Sequence, residues 1–434
     1  MGSTFRCIRC NKIIEPGTNF RCRCGGLYEV RHDFDDVTRE LFDERLGTTK
    51  KPYDSGVWRF RELIYPGIDA GAIVSRPEGN TNLYRRGIVC DYVGVKDLSM
   101  KHEGENPTGS FKDRGMTVAV SEARRLGASA VACASTGNTS ASMAAYAAQS
   151  GLNGVVFVPE GEIAYGKLSQ ALAYGARVIQ VRGNFDDAMR LVEEASSEIG
   201  YYLLNSLNPW RVEGQKTIIF ELLQQRSWTA PDWIIAPGGN LGNTSAFGKA
   251  IRELQELRLT DRAPRIAVIQ AEDANPLYRL WSSKGDQLKP VEKPHTVASA
   301  IKIGAPVSWE KAVKALAYTK GVVEQVSDDE IMDAKAIVDR SGVGCEPASA
   351  ASVAGAKKLV ERGVISPGES VVCILTGNLL KDPETTVNYH LGKLKGITPR
   401  ASNKPIVLDP GSPGMQDLKA LFNSMGERSI RRGS

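Results

Sequence analysis

From about residue 76 onward the chain alternates between two kinds of stretch. Short apolar runs at 131–134, 155–158, 178–181, 233–236, 266–269 and 371–375 read as strands. Between them, residues 141–149, 185–199, 214–225 and 244–257 repeat apolar side chains at helical spacing. Strands that are apolar on both faces, separated by helices of this length, predict parallel sheets covered by helices on both sides. The expectation is an α/β protein of two three-layer parallel-sheet domains, at 76–200 and 201–395, with the smaller inserted within the larger. Residues 31–75 break the rhythm and read as a connecting arm, with Trp58, Phe60 and Tyr65 spaced to clamp it onto the body. From 396 to 434 the pattern fades into a Pro, Gly and Ser-rich basic tail, expected to be loosely ordered.

Composition narrows the function classes. The 434 residues are 42% hydrophobic and 24% charged, ample for two cores. The net charge of +5 resides in the tail, where residues 391–434 carry eight Lys or Arg against three Asp or Glu. The body is therefore neutral, which argues against a nucleic-acid groove and leaves a small-molecule partner. No apolar run approaches the roughly 20 residues of a membrane span, and no charged-then-apolar leader opens the chain. A cytoplasmic enzyme is the expectation.

Eight cysteines divide unequally. Cys90, Cys133, Cys345 and Cys373 lie in apolar surroundings and read as reduced core packing. Cys7-x-x-Cys10 and Cys22-x-Cys24, within a segment 1–30, resemble a zinc ribbon, in which two turns each offer two thiolates to a structural zinc. The second turn is one residue shorter than the usual Cys-x-x-Cys. All four ligands would be thiolates, so the metal would have no open catalytic position.

Three strand-to-helix turns carry chemistry. In Glu105-Asn106-Pro107-Thr108-Gly109-Ser110-Phe111-Lys112-Asp113-Arg114-Gly115-Met116, a single lysine, Lys112, sits where a turn opens a helix. A partly desolvated amine there has a lowered pKa and becomes nucleophilic. Ser135-Thr136-Gly137-Asn138-Thr139 joins an apolar strand to an Ala-rich helix and offers free amides to an anion. Pro237-Gly238-Gly239-Asn240-Leu241-Gly242-Asn243-Thr244 makes a glycine-rich nest suited to a phosphate. Neither the Gly-x-Gly-x-x-Gly nor the P-loop fingerprint is present. A fourth turn, Leu375-Thr376-Gly377-Asn378, ends the strand at 371–375.

Ser-Phe-Lys-Asp-Arg around Lys112 resembles the Schiff-base segment of the fold-type II pyridoxal phosphate enzymes, and the other motifs follow in that family's order. With Asn205-Ser206-Leu207-Asn208-Pro209 and Cys345-Glu346-Pro347-Ala348-Ser349-Ala350-Ala351, the chain is similar to the threonine synthases from about Thr81 to Pro383. The resemblance implies that Lys112 carries pyridoxal 5′-phosphate and serves as the catalytic base. It implies that Asn138 meets the ring hydroxyl and that Gly239, Asn240, Leu241, Gly242 and Asn243 cradle the phosphate. Thr376 would face the ring nitrogen. Ser135, Thr136 and Thr139 would hold the substrate carboxylate, and Asn205, Ser206, Arg211 and Lys101 would serve a substrate phosphate. The implied reaction turns O-phospho-L-homoserine and water into L-threonine and phosphate, in a homo-oligomer, expected to be a dimer. Cysteate synthase and threonine dehydratase activities are the neighbouring alternatives. Two positions depart from the family pattern: Asn378-Leu379 stands where His-Gly is frequent, and Asn82 replaces a common Pro after Thr81.

Overall fold

The computed structural model describes residues 2–34, 37–161, 165–183, 185–408, 410 and 414–422. The chain opens with strands β1 (Ser3–Cys7), β2 (Ile13–Ile14) and β3 (Tyr28–His32). Next come β4 (Leu83–Tyr84), β5 (Asp97–His102), β6 (Ala130–Ala134), β7 (Asn153–Pro159), β8 (Arg177–Val181) and β9 (Tyr202–Leu203). The last four are β10 (Trp233–Pro237), β11 (Arg265–Ala271), β12 (Val322–Val326) and β13 (Ser370–Leu375). They form a three-stranded antiparallel sheet β2-β1-β3, a six-stranded sheet β12-β11-β10-β13-β5-β4 and a four-stranded sheet β8-β7-β6-β9. All pairs in the two larger sheets are parallel except β4 with β5 at one edge. Every residue of β6 and of β10 is buried, as strands sandwiched between helical layers require.

The four-stranded sheet is inserted between β5 and β10, and this corrects the division at 76–200 and 201–395. Residues 83–102 belong to the larger sheet, because β5 pairs in parallel with β13 along six residues from Asp97 against Ser370 to His102 against Leu375. A boundary drawn along the sequence missed this because β5 contains Asp97, Ser99, Lys101 and His102, a composition that hides a buried strand.

The arm packs as its aromatic residues predict. Trp58 and Phe60 are fully buried, Trp58 donates to the Thr117 hydroxyl at 2.8 Å, and Tyr65 stacks on Trp210 with ring centroids 4.1 Å apart. The start of the tail is not loose. Thr398 and Arg400 donate backbone N–H groups to Asp329 and Asp333 at 2.8 and 3.1 Å, and Arg340 bonds the Ala401 carbonyl at 3.0 Å. These bonds tie residues 398–401 to the helix Asp328–Arg340. The rest of that expectation falls partly on residues 409, 411–413 and 423–434, outside the described residues. No described helix is long and apolar enough to cross a membrane.

Candidate active site

Lys112 is the first residue of the helix Lys112–Arg125, and the turn before it is fixed from both sides. Gly109 adopts φ +85°, a left-handed conformation that glycine takes at little cost. Asp113, buried, accepts from the Thr108 amide at 2.7 Å, the Thr108 hydroxyl at 2.6 Å and Ser142 at 2.5 Å. Burial pushes its carboxyl up to about 6. On the other side the turn is stitched to the end of β13: Phe111 N–H donates to the Thr376 carbonyl at 3.0 Å and Asn378 N–H to the Gly109 carbonyl at 2.9 Å. The Lys112 and Thr376 motifs, far apart in sequence, thus share one edge. Lys112 is half-buried, with its ammonium 4.3 Å from the Phe111 ring centroid. Burial and the nearby Arg211 guanidinium push it down to about 7, against the opposing pull of Glu346.

Behind the lysine, two helices approach unusually closely. A Cβ on Gly214, in the helix Pro209–Gln225, would stand 1.8 Å from the Arg114 carbonyl oxygen, and one on Gly115 would stand 2.7 Å from the Arg211 carbonyl oxygen. Around that crossing lies a buried ion network. Arg114 bonds Glu103 at 2.6 Å and Glu221 at 2.8 Å, Lys101 bonds Glu221 at 2.6 Å, and Arg59 reaches Glu221 at 3.3 Å. Lys101 also donates to the Thr81 carbonyl at 2.6 Å and to Gln225 at 2.9 Å. It is wholly buried with its three donors taken, so it does not offer itself to a substrate phosphate. The resemblance implies a substrate-phosphate role for Lys101, whereas these contacts give it a scaffold role.

The Ser135 turn holds five half-buried residues, and the helix Asn138–Ser150 that follows has no side-chain cap. Its first amides therefore lack intrahelical partners and are available to an anion. Asn205 does not add to them. Its Oδ1 and Nδ2 bond the Ala134 N–H and carbonyl, each at 3.0 Å, so the side chain holds the turn in place. Ser206 is half-buried beside it. Arg211 is buried, donates Nη1 to the Leu204 carbonyl at 2.9 Å and leaves Nε without an acceptor. Among the described residues no carboxylate pairs with it, which suits a phosphate.

The glycine-rich turn fits the cofactor phosphate. The helix Gly242–Glu256 starts without a side-chain cap, and Leu241 before it takes φ +63°. The buried Thr244 hydroxyl and Asn243 Oδ1 have no hydrogen-bond partner, and neither does Ser110 Oγ in the Lys112 turn. The Thr244 hydroxyl and the free amides of this uncapped helix N-terminus are donors that a bound phosphate would satisfy. Gly239 has no room for a side chain, since its Cβ would meet the Ala300 carbonyl oxygen at 3.1 Å. Leu241 buries its side chain and contributes backbone alone. Asn240 braces the neighbouring loop, its Oδ1 accepting from Val307 N–H at 3.4 Å and its carbonyl from Ser308 N–H at 3.3 Å. Thr244 was absent from the expected set, although it ends the same motif.

The residue that sequence reasoning missed altogether as a site member is Glu346. Extended backbone there and Pro347 at the first helical position turn its side chain away from the helix Pro347–Glu361. Asn138 Nδ2 donates to it at 3.0 and 3.3 Å, and the Thr376 hydroxyl lies 3.5 Å away. Ser349 bonds that hydroxyl at 3.0 Å. Burial raises the Glu346 carboxyl, opposed by the Asn138 hydrogen bond. A Cβ at Gly377 would overlap it at 2.4 Å, so the glycine after Thr376 is required by this carboxylate. The only hint was a lone acid inside the Cys345–Ala351 motif.

The two departures from the family pattern have structural roles. Asn82 N–H donates to Glu105 at 2.7 Å, a bond a proline cannot make. Asn378 donates Nδ2 to the Gly104 carbonyl at 3.2 Å and caps Leu380 N–H at 2.9 Å, pinning the Lys112 turn.

The family profile described as "Pyridoxal-phosphate dependent enzyme" matches residues 74–377. The chain is 45% identical over 406 residues to threonine synthase of Methanocaldococcus jannaschii, covering 93% of this chain and 96% of that one. It is 46% identical over 386 residues to threonine synthase of Methanosarcina acetivorans, covering 88% and 93%. The crystal structure of threonine synthase from Escherichia coli superposes with a TM-score of 0.66 over 91% of this chain and 89% of that chain; at 17% identity this likeness speaks to fold alone. Together with the lysine turn stitched to the Thr376 edge, these matches give the family: the chain belongs to the pyridoxal-phosphate dependent enzymes and, among them, to the threonine synthases.

Proposed function

We propose that the chain takes O-phospho-L-homoserine and water to L-threonine and phosphate, with Lys112 holding the cofactor and moving the substrate's protons. The single observation that carries the residue assignment is the stitched edge that sets Lys112 beside Thr376, Asn138 and Glu346. Pyridoxal phosphate, when bound, supplies the electron sink that lets a γ-phosphate leave and water enter at the β carbon. Thr244, Asn243 and the amides from Gly239 to Gly242 would seat its phosphate, and Asn138 and Thr376 would orient its ring.

The chain's own residues supply the rest. The Lys112 amine, brought to about 7 by burial and Arg211, is partly neutral near pH 7 and can accept the proton from the substrate α carbon. The uncapped turn from Ser135 to Thr139 would take the substrate carboxylate. Arg211, together with Ser206, would take the leaving phosphate. Asn205 and Glu346 act as positioning residues, the first fixing the Ser135 turn and the second holding Asn138 and Thr376 together. Assays of phosphate release and amino-acid product test this reading. O-phospho-L-homoserine should yield threonine. Production of cysteate from O-phosphoserine and sulfite, with no threonine from the homoserine ester, would replace it with the neighbouring replacement activity.

The cysteine cluster is proposed as a structural zinc site. The four Sγ atoms lie within 4.8 Å of one another, with Cys7 to Cys24 at 3.4 Å and Cys10 to Cys22 at 3.6 Å. Tetrahedral thiolates at a Zn–S distance of about 2.3 Å would stand about 3.8 Å apart. The short Cys22-x-Cys24 turn closes because Gly25 takes φ +81° and Gly26 leaves room for Cys7 Sγ. Elemental analysis should find one zinc per chain, lost in Cys22→Ser/Cys24→Ser with a lower melting temperature. Metal-free protein of unchanged stability would remove the site. A homodimer and a cytoplasmic location complete the reading; light scattering tests the first.

A further inference from the structure

Where the three-stranded sheet docks on the body, a cavity of about 170 Å³ opens among β1, β3 and three helices, Pro209–Gln225, Gly242–Glu256 and Trp309–Thr319. Two of its cations are answered locally: Lys249 by Glu213 and Arg31 by Glu29. Four are not. Arg6 donates to the neutral Asn11 side chain at 2.8 and 3.1 Å, Lys311 to the Tyr28 carbonyl at 2.8 Å and Lys314 to the Ile8 carbonyl at 2.6 Å. Arg252 has Glu256 no nearer than 3.7 Å, and its buried Nε and Nη2 have no acceptor at all. Among the described residues, none of the four has a carboxylate within hydrogen-bonding distance.

Like charges gathered on one partly dry cavity repel, and buried donors without acceptors cost free energy, unless a counter-anion supplies both charge and lone pairs. Lys311 registers this environment: burial, with the neighbouring cations Lys249 and Lys314, pushes its ammonium down to about 8, although Glu29 and Glu213 pull the other way. A phosphate-class dianion has the charge and the acceptor number to answer Arg252 and a lysine together.

We infer that this cavity binds a small dianionic oxyanion of the phosphate class, at a second site distinct from the catalytic one. Arg252 lies ten residues beyond Gly242 on one helix, about 15 Å along its axis at 1.5 Å per residue. The occupant therefore bears on the same helix that begins at the cofactor cradle. The reaction releases an anion of this chemistry, so inorganic phosphate is the natural first probe.

Equilibrium dialysis of inorganic phosphate against the full-length holoenzyme, at constant ionic strength set by chloride, should count two phosphates per chain. Arg252→Gln/Lys314→Gln should bind one, with the lost class weakened at least tenfold, while the cofactor absorption and the melting temperature in chloride stay native. A tungstate soak of crystals of the unaltered protein gives a measurement independent of any variant, and its anomalous peak should stand beside Arg252. One phosphate per chain in the unaltered protein, two retained by the folded variant, or tungstate at the catalytic site alone would overturn the inference.

Discussion

Lys112→Ala is expected to lose covalent cofactor and at least about 10³-fold in turnover, within the range found when a positioned acid–base group is removed. The expectation rests on surroundings as much as on the residue. Asp113 and the Thr376 edge fix the turn, Phe111 covers one side of the amine, and burial, with Arg211, keeps it from holding its proton as an exposed lysine would. Borohydride treatment followed by mass spectrometry checks it. The unaltered chain should gain the reduced cofactor on the peptide containing Lys112, and the variant should gain nothing. Cofactor trapped elsewhere in the variant, with turnover preserved, would move the active lysine. Lys381 borders Gly109 and bonds Gln170, so it is the residue such a result would implicate.

Glu221→Ala should unfold much of what surrounds that lysine. Glu221 accepts from Lys101, Arg114 and Arg59 and from the backbone amides of Asn80 and Thr81 at 2.8 and 3.0 Å. Burial alone would raise its carboxyl, yet Arg114 and Lys101 hold it well below the usual carboxylate range. Removing it strands buried cations, a loss of about 3–5 kcal/mol in comparable cases. Domains have about 5–15 kcal/mol in all, so the variant should show a much lower urea midpoint or fail to accumulate. Lys101→Ala discriminates between the two roles considered for that lysine. A scaffold role predicts lost stability with KM little changed in whatever folds; a raised KM at native stability would return Lys101 to the substrate.

The legible part of the sequence was its local grammar. The helix expected at 185–199 spans Phe185–Ile199, and the apolar runs at 131–134, 233–236 and 371–375 lie in β6, β10 and β13. What stayed hidden depended on partners distant in sequence. β5 is a central strand written largely in polar residues, because Lys101 is neutralised by Glu221, 120 residues away. Glu346 reads as a helix-start acid until the fold brings Asn138 and Thr376 to it. Asn205, which the resemblance assigns to the substrate, bonds the Ala134 backbone through both ends of its amide, a pairing across 71 residues that no local pattern shows. The four Sγ atoms converge despite the shortened second turn, since two glycines accommodate the bend.

The crossing at Gly115 and Gly214 bears on how this catalyst can be redesigned. With a methyl at 214 standing 1.8 Å from the Arg114 oxygen, the two supporting helices have no slack, and respacing them would carry the amine off its mark. Selection for altered substrates should therefore gather its changes at half-buried positions of the surrounding turns, such as Thr136 and Ser206, and leave both glycines untouched.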